Sequence, residues 1–187
     1  MLAAFLAVAF AAVPVRADAV FAKSVADAAR AQTKERVVYD GRYVRLAYPG
    51  GDVPAGTGVC TDVVIRAMRK AGVDLQVAVH EDMKKSFGAY PKKWGRREPD
   101  TNIDHRRVPN LMTYFTRKGK SLPMTRVAGD YLPGDLVAWD LGGGVTHIGV
   151  VVAGPAKPLI VHNIGAGPKL EDVLFDWTMI GHYRPSP

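Results

Sequence analysis

The single cysteine of this 187-residue chain, Cys60, is its most reactive candidate nucleophile. It opens a stretch, 60–71, in which apolar residues recur at helical spacing, and Gly72 follows as a left-handed cap. Unpaired backbone N–H groups and the positive end of a helix dipole favour a thiolate. We therefore expect a lowered pKa for Cys60 and a nucleophilic role. The alternative is a small buried hydrophobe, a common role of free cysteines.

Two histidines on predicted strands supply a candidate base and its orienting group. Residues 135–140, 146–152 and 159–163 are apolar runs separated by glycine or proline turns, which predicts three strands in an antiparallel meander. His147 lies near the start of the second strand and His162 near the end of the third. Antiparallel pairing brings such positions side by side. A thiol, a base and an orienting group are the components of covalent catalysis.

The identity of the orienting group stays open on periodicity alone. Successive strand residues face opposite sides of a sheet, so only one of His162 and Asn163 points at His147. Ile160 shares the face of His162, and Val161 shares that of Asn163. Because both are apolar, the pattern does not say which face is inward.

The N-terminal residues 1–17 predict a signal peptide. Residues 1–15 are uncharged, apolar and shorter than the roughly 20 residues of a membrane-spanning helix, and small residues precede Asp18. We therefore expect export to the periplasm or cell envelope, with no stable membrane span. Because no Lys or Arg precedes Arg16, an internal start or a short anchor remains the alternative.

The remaining chain predicts one α+β domain behind a helix. Residues 18–35 carry an apolar stripe at spacing three and four, which predicts an amphipathic helix, and residues 36–187 form the domain. Within it, 37–39 and 43–48 are predicted to be extended. The Pro- and Gly-rich run 49–54 forms the loop that leads toward Cys60.

A basic excursion spans residues 84–120. It contains eleven Lys or Arg against three acidic residues, with aromatic residues interleaved. Its charge would attract carboxylated or phosphorylated envelope polymers, whereas the alternative is a solvated basic face. Stacking aromatics also suit single-stranded nucleic acid, but we do not expect that partner for an exported protein.

Four short runs carry a resemblance to a known family. They are Gly58-Val59-Cys60, 133–137 (PGDLV), 146–150 (THIGV) and 160–162 (IVH). Together they resemble the NlpC-type cell-wall peptidases of the papain-like clan. The resemblance implies a papain-like fold, with a nucleophile-bearing helix packed on an antiparallel sheet. It also implies Cys60, His147 and His162 as catalytic residues, no cofactor, and amide hydrolysis in peptidoglycan.

A closer resemblance covers about residues 39–183. The runs 48–54 (YPGGDVP), 102–110 (NIDHRRVPN) and 162–167 (HNIGAG) are similar to an exported bacterial family of unknown function that is associated with the same clan. The chain departs from the NlpC pattern where Thr61-Asp62 replaces Ser-Gly after the nucleophile, and where the basic excursion is long. Both departures would reshape a substrate groove.

Four further residues are candidates for substrate binding: Asp62, Trp139, Asn163 and His105. Asp62 would shape the pocket at the helix start, and its alternative role is a favourable carboxylate in the first turn. His105, among Asp104, Arg106 and Arg107, would line a groove.

Three other functions remain open from the sequence. Cys60, His147 and His162 are all normal zinc ligands. The protein could instead be an inactive module that binds envelope polyanions, or a thiol-dependent acyltransferase. The sequence does not separate hydrolysis from transfer, and it sets neither the scissile bond nor the oligomeric state.

Overall fold

The computed structural model describes residues 13–187, with side chains from Asp18 onward. Within these residues the α-helices are α1 Val13–Gln32, α2 Cys60–Lys70, α3 Leu75–Ser86 and α4 Val108–Arg117. The strands are β1 Val38–Tyr39, β2 Thr57–Gly58, β3 Leu136–Asp140, β4 Thr146–Val152, β5 Leu159–His162, β6 Lys169–Glu171 and β7 Thr178–Tyr183. Most of the predicted signal peptide lies outside the described residues. In the described part, no helix is long and apolar enough to cross a bilayer.

Five strands form one antiparallel sheet, in the order β6-β5-β4-β3-β7. The predicted α+β class and the β3–β4–β5 meander are confirmed, with Val150 opposite Leu136 on one side and Val161 on the other. The two outer strands were not predicted. β6 has only three residues, and β7 pairs with β3 through a register shift between Ala138 and Trp139.

The two faces of the sheet bury different clusters. Alternate β4 residues Val150 and Val152 pack with α1, α2 and α4, whereas Val151 faces the opposite side. There it joins a smaller cluster with Trp139 and Leu174. Burial on both faces explains why β4 is an almost continuous apolar run.

Helix α1 has different bounds from the N-terminal helix expected at 18–35. It runs from Val13 to Gln32, and residues 33–35 form a turn whose N–H groups bond three residues back. Its apolar stripe buries Phe21, Val25 and Ala29. The turn at Gly134 allows the close approach of α1, because a Cβ there would lie 2.5 Å from the Ala22 carbonyl oxygen.

Residues 43–48 do not form the predicted strand. Polar side chains satisfy their backbone instead: the Leu46 N–H donates to Asn102 at 2.8 Å, and Gln76 donates to the Ala47 carbonyl at 2.9 Å. Val38–Tyr39, which was expected to be extended, pairs in parallel with β2 just before Cys60.

The basic excursion is partly helical. It begins in the last turn of α3 and ends just after α4. Side chains from its first and last parts bind the same carboxylate, that of Asp82. Asp82 accepts hydrogen bonds from Arg117 Nε at 2.6 Å, Lys118 Nζ at 2.8 Å and Tyr90 Oη at 2.8 Å. Although burial raises it, these bonds hold the pKa of Asp82 below its ordinary value.

A buried ion pair fixes the start of α2 to the excursion. Arg106 donates from Nε and Nη2 to the two Asp62 oxygens at 2.8 and 3.0 Å, and both side chains are almost wholly buried. Asp62 Oδ2 also accepts the Val59 N–H at 2.7 Å, and Thr61 Oγ1 donates to the Arg106 carbonyl at 3.1 Å. Asp62 therefore has the first-turn role that the sequence also offered for it: its carboxylate serves the first turn of α2 and its buried partner.

Replacing Arg106 by Met should destabilise the protein by about 3–5 kcal/mol, because the Asp62 charge stays buried without its partner. Urea unfolding followed by circular dichroism measures the loss. Lys84→Met, which breaks a mostly exposed pair with Glu81, is the matched control and should change little. Adding Asp62→Asn to Arg106→Met should recover part of the loss. A loss near that of the control would show that the buried pair does not hold this region.

Candidate active site

Cys60 is the first residue of α2 and is held by three contacts on the residues before it. Gly58 pairs with Tyr39 in the β1–β2 ladder, and its carbonyl accepts a hydrogen bond from Asn163 Nδ2 at 3.1 Å. Val59 is bound by Asp62. The sulfur lies beside the backbone amides of Thr61 and of Ile148 on β4. The helix that begins at Cys60 therefore meets the sheet at the residue that follows His147.

The environment of Cys60 shifts its pKa opposite to the direction expected from the sequence. Burial raises the pKa to about 11, and the amides of Ile148 and Thr61 offset only part of that shift. The helix start is present, but Cys60 as a whole residue is only 5% exposed. Desolvation therefore outweighs the helix end, and the resting side chain is a neutral thiol.

The two predicted histidines lie side by side, followed by a carboxylate. His147 Nε2 lies 2.8 Å from His162 Nδ1, and His162 Nε2 lies 2.8 Å from Glu171 Oε2. Gly149 lets β5 pack closely here, since a Cβ there would lie 2.6 Å from Ile160 Cγ2 and 3.2 Å from the His162 Cβ. Residues of β4, β5 and β6 thus form a hydrogen-bonded chain across three neighbouring strands.

Both imidazoles are buried and favour their neutral forms. Burial, with a smaller contribution from His162, lowers the pKa of His147 to about 3. Burial also lowers the pKa of His162, although the hydrogen bond and charge of Glu171 act in the opposite direction. His147 is therefore unprotonated, as a general base must be, at all pH values near neutrality.

In this structure Cys60 and His147 do not form a hydrogen-bonded dyad. Cys60 packs with Ile148 in the helix-side cluster. The His147 ring instead lies 5.9 Å from that of Trp139 and 5.8 Å from that of Trp177 on the opposite side. No hydrogen bond between Cys60 and His147 occurs among the described residues. The sulfur lies beside the Ile148 amide on the helix side, whereas the ring of the preceding residue, His147, faces the other side of the sheet.

The other predicted substrate-binding residues are buried and have partners within the protein. Trp139 is fully buried, and its Nε1 donates to the Leu174 carbonyl at 3.0 Å. Asn163, also fully buried, binds Gly58 rather than His147. His105 lies in a short 3-10 helix, and burial lowers its pKa to about 4. The structure thus gives these side chains supporting positions, not a surface open to substrate.

Two residues beside the site were not singled out from the sequence. Burial raises the pKa of the half-exposed Tyr39 phenol, with smaller contributions from Cys60 and Asp62. Glu171 completes the histidine chain. Tyr39 could have been found from its extended run, but nothing local marks Glu171, because its strand has three residues.

The basic excursion keeps only part of its charge free. Acidic partners lie near Lys84, Arg96, Arg106, Arg107, Arg117 and Lys118. Lys92, Lys93 and Arg97 are exposed and have no acidic partner among the described side chains. They flank Trp94, whose ring is half exposed and lies 3.9 Å from the Arg107 guanidinium. We call residues 92–97 the basic loop.

The predicted zinc alternative finds no support in the geometry of the described residues. No group of three or more His, Cys, Asp or Glu side chains is placed there to hold a metal ion. The facing nitrogens of His147 and His162 are bonded to each other, so that pair does not present two free ligands to one cation.

Alkylation of Cys60 tests its protonation state. With a pKa near 11, its thiolate fraction at pH 7 is roughly two orders of magnitude below that of a free thiol of pKa about 8.5. Iodoacetamide should therefore react slowly with the folded protein, and the rate should still rise above pH 9. Mass spectrometry measures the rate, with protein unfolded in urea as the control. Reaction at pH 7 faster than in urea would instead show an activated thiolate.

Comparisons with known proteins place this site in a family. The family described as "Domain of unknown function (DUF1287)" matches residues 26–185. The chain is also similar to the "Uncharacterized protein YijF" of Escherichia coli (strain K12). The two are 57% identical over 164 residues, which cover 86% of this chain and 80% of the relative. No solved structure matches the chain. Because the match spans the helix of Cys60 and all strands of the five-stranded sheet, the chain belongs to the DUF1287 family.

Proposed function

We propose that the protein is a cysteine-dependent hydrolase of amide bonds that is exported and acts on peptidoglycan or a related envelope substrate. The observation that carries this proposal is the 2.8 Å contact between His147 Nε2 and His162 Nδ1, at the strand position where the sulfur of Cys60 meets β4. A thiol at a helix start beside a base, with a second polar group that orients the base, is the arrangement of papain-like and NlpC-type enzymes.

The first half of the reaction forms a thioester. The Cys60 thiol transfers its proton to Nδ1 of His147, and the sulfur attacks the amide carbonyl carbon. The backbone N–H of Cys60, at the helix start, donates to the developing oxyanion. His147 then protonates the leaving amine nitrogen as the carbon–nitrogen bond breaks. This transfer requires the His147 imidazole, which lies on the opposite face of the sheet from Cys60 in this structure, to come into contact with the sulfur when substrate binds.

The second half regenerates the thiol. Water attacks the thioester carbonyl while His147 accepts one of its protons. The carbon–sulfur bond then breaks, and the proton returns to sulfur. His162 holds the ring of His147 throughout. The residues that act directly are Cys60 and His147, and none of these steps requires a cofactor.

The shifted pKa values fit a neutral resting pair. Burial disfavours a separate thiolate on Cys60 and a separate imidazolium on His147. When the proton moves between them, both charges appear together, and their attraction offsets part of the desolvation cost. Proton transfer coupled to attack is therefore favoured over a standing ion pair.

The basic loop supplies a means of binding an anionic envelope polymer. Its free Lys and Arg side chains attract a polyanion over about 8–10 Å at ordinary ionic strength, and the exposed ring of Trp94 offers a surface for contact. The loop is separate from the histidine chain, so binding and turnover should respond to different substitutions.

Digestion of intact peptidoglycan tests the proposed reaction. The protein should release soluble fragments whose masses show cleavage of an amide bond with addition of water. Cys60→Ala and His147→Ala should abolish the release, because they remove the nucleophile and the base. Release that persists in Cys60→Ala would refute the proposed hydrolase. Fragments joined to an added amine would indicate acyl transfer instead.

The variants His162→Ala and Asn163→Ala should distinguish a residue that orients the His147 ring from one that supports the backbone before Cys60. Loss of His162 should lower kcat of the folded protein by an order of magnitude or more, because the ring of His147 loses its partner. Asn163→Ala should mainly lower the free energy of unfolding, by about 1–3 kcal/mol, since it leaves the Gly58 carbonyl unpaired. Fragment release and urea unfolding are measured on both variants. The reverse pattern would assign the orienting role to Asn163.

The combined change of Lys92 and Lys93 to Gln should weaken sedimentation with anionic envelope polymer and reduce the salt dependence of binding. Turnover of a short neutral peptide should hardly change. The matched control is Lys34→Gln with Arg36→Gln, which removes the same charge from exposed positions outside the excursion. Equal weakening in both double variants would show that only net charge matters and that the basic loop is not the binding surface.

A further inference from the structure

We infer that Glu171 is a positioning residue for the base: its carboxylate fixes which nitrogen of His162, and through it which nitrogen of His147, carries a proton. This inference rests on the proposed function for its kinetic consequence, but its structural part stands without it. Glu171 lies on the edge strand β6, beside the strand that carries His162.

The direction of each hydrogen bond in the series His147–His162–Glu171 follows from its last acceptor, the Glu171 carboxylate. An ionised carboxylate only accepts, so His162 Nε2 must donate to Glu171 Oε2 across their 2.8 Å contact. A neutral imidazole that carries its proton on Nε2 has a lone pair on Nδ1. His162 Nδ1 therefore accepts, and His147 Nε2 must be the donor in the 2.8 Å contact between the rings.

The same logic determines the free nitrogen of His147. With its proton on Nε2, neutral His147 has its lone pair on Nδ1, which is the atom required to take the thiol proton. The opposite tautomer would carry a proton on Nδ1 and could not act as a base there. The carboxylate thus sets the chemistry of a ring that it does not touch, as outer partners of metal-bound histidines do.

No other carboxylate competes for this role in the described part of the chain. The rings that surround the histidine pair are those of Trp139 and Trp177, which carry no charge. Glu171 is therefore the one anionic group in hydrogen-bond contact with either imidazole. It also lies where it can stabilise the positive charge that develops on the histidines when the thiol is deprotonated.

Glu171 can be changed without emptying the core. Its side chain is 38% exposed, whereas the His162 side chain is 1% exposed. The next residue, Asp172, is a carboxylate of similar exposure that pairs with Lys157 instead. Asp172→Asn is therefore a matched control: it removes a charge one residue away and leaves the histidine chain untouched.

The test records long-range proton–nitrogen NMR spectra of the histidine rings in full-chain protein labelled with nitrogen-15. In the unchanged protein both His147 and His162 should be Nε2–H tautomers. In Glu171→Ala a substantial fraction of both rings should shift to Nδ1–H, because no acceptor holds the proton of His162 Nε2. Asp172→Asn should give the original spectrum. Unchanged tautomers in Glu171→Ala would overturn the inference, whether or not the protein is a hydrolase.

The kinetic arm uses release of fragments from intact peptidoglycan at increasing substrate load. Glu171→Gln should lower kcat about tenfold or more with little change in KM, because the charge acts on the base rather than on substrate binding. Glu171→Asp should recover part of the rate, and Asp172→Asn should keep all of it. A Glu171→Gln protein with the original kcat would also overturn the inference. Absence of activity in the unchanged protein would refute the proposed hydrolase alone, since the spectra still decide the role of Glu171.

Discussion

The buried pair of Asp62 and Arg106 is the constraint on which the rest of the site depends. One carboxylate caps the amide before Cys60 and binds a guanidinium from a segment more than forty residues away in the chain. Removing water from both charges is costly, and the two-bond geometry together with the Val59 amide is what offsets that cost. Because Arg106 and Asp62 form a buried ion pair, they fix where the basic excursion crosses the start of α2. The thiol is thereby held at one place against β4.

The sequence predicted the parts of this site that depend on local periodicity. Helical spacing after Cys60 and the apolar runs around His147 and His162 were sufficient to place a helix start beside an antiparallel meander. Helix α4 also left a local signal that was not used, since Pro109 in its first turn and Leu111 and Phe115 on one face are typical of a helix. The excursion was judged by its charge, which describes its surface and says little about its backbone.

Contacts between distant segments could not be predicted in the same way. Glu171 follows His162 by nine residues, but a three-residue edge strand has no pattern that sets its register. Arg106 looked like one of many solvated basic residues until its partner was known. The pKa of Cys60 was misjudged for the same reason: a helix start is visible in a sequence, whereas the depth of burial is a property of the whole fold.

The two faces of the sheet surround the thiol and the histidine pair with different kinds of side chain. On the helix side, Cys60 lies in an apolar cluster that keeps its thiol neutral. On the other side, the histidine pair is enclosed by aromatic rings and reaches a carboxylate only at the sheet edge. The charged groups nearest to the thiol and the histidine pair are therefore the buried Asp62–Arg106 pair at the start of α2 and Glu171 at the sheet edge. In such a surrounding the proposed proton transfer from the thiol requires an acceptor and a developing oxyanion to share the charge, so the proposed reaction depends on a bound substrate. A buried cysteine of this kind is protected from chance alkylation and oxidation by the same desolvation that raises its pKa.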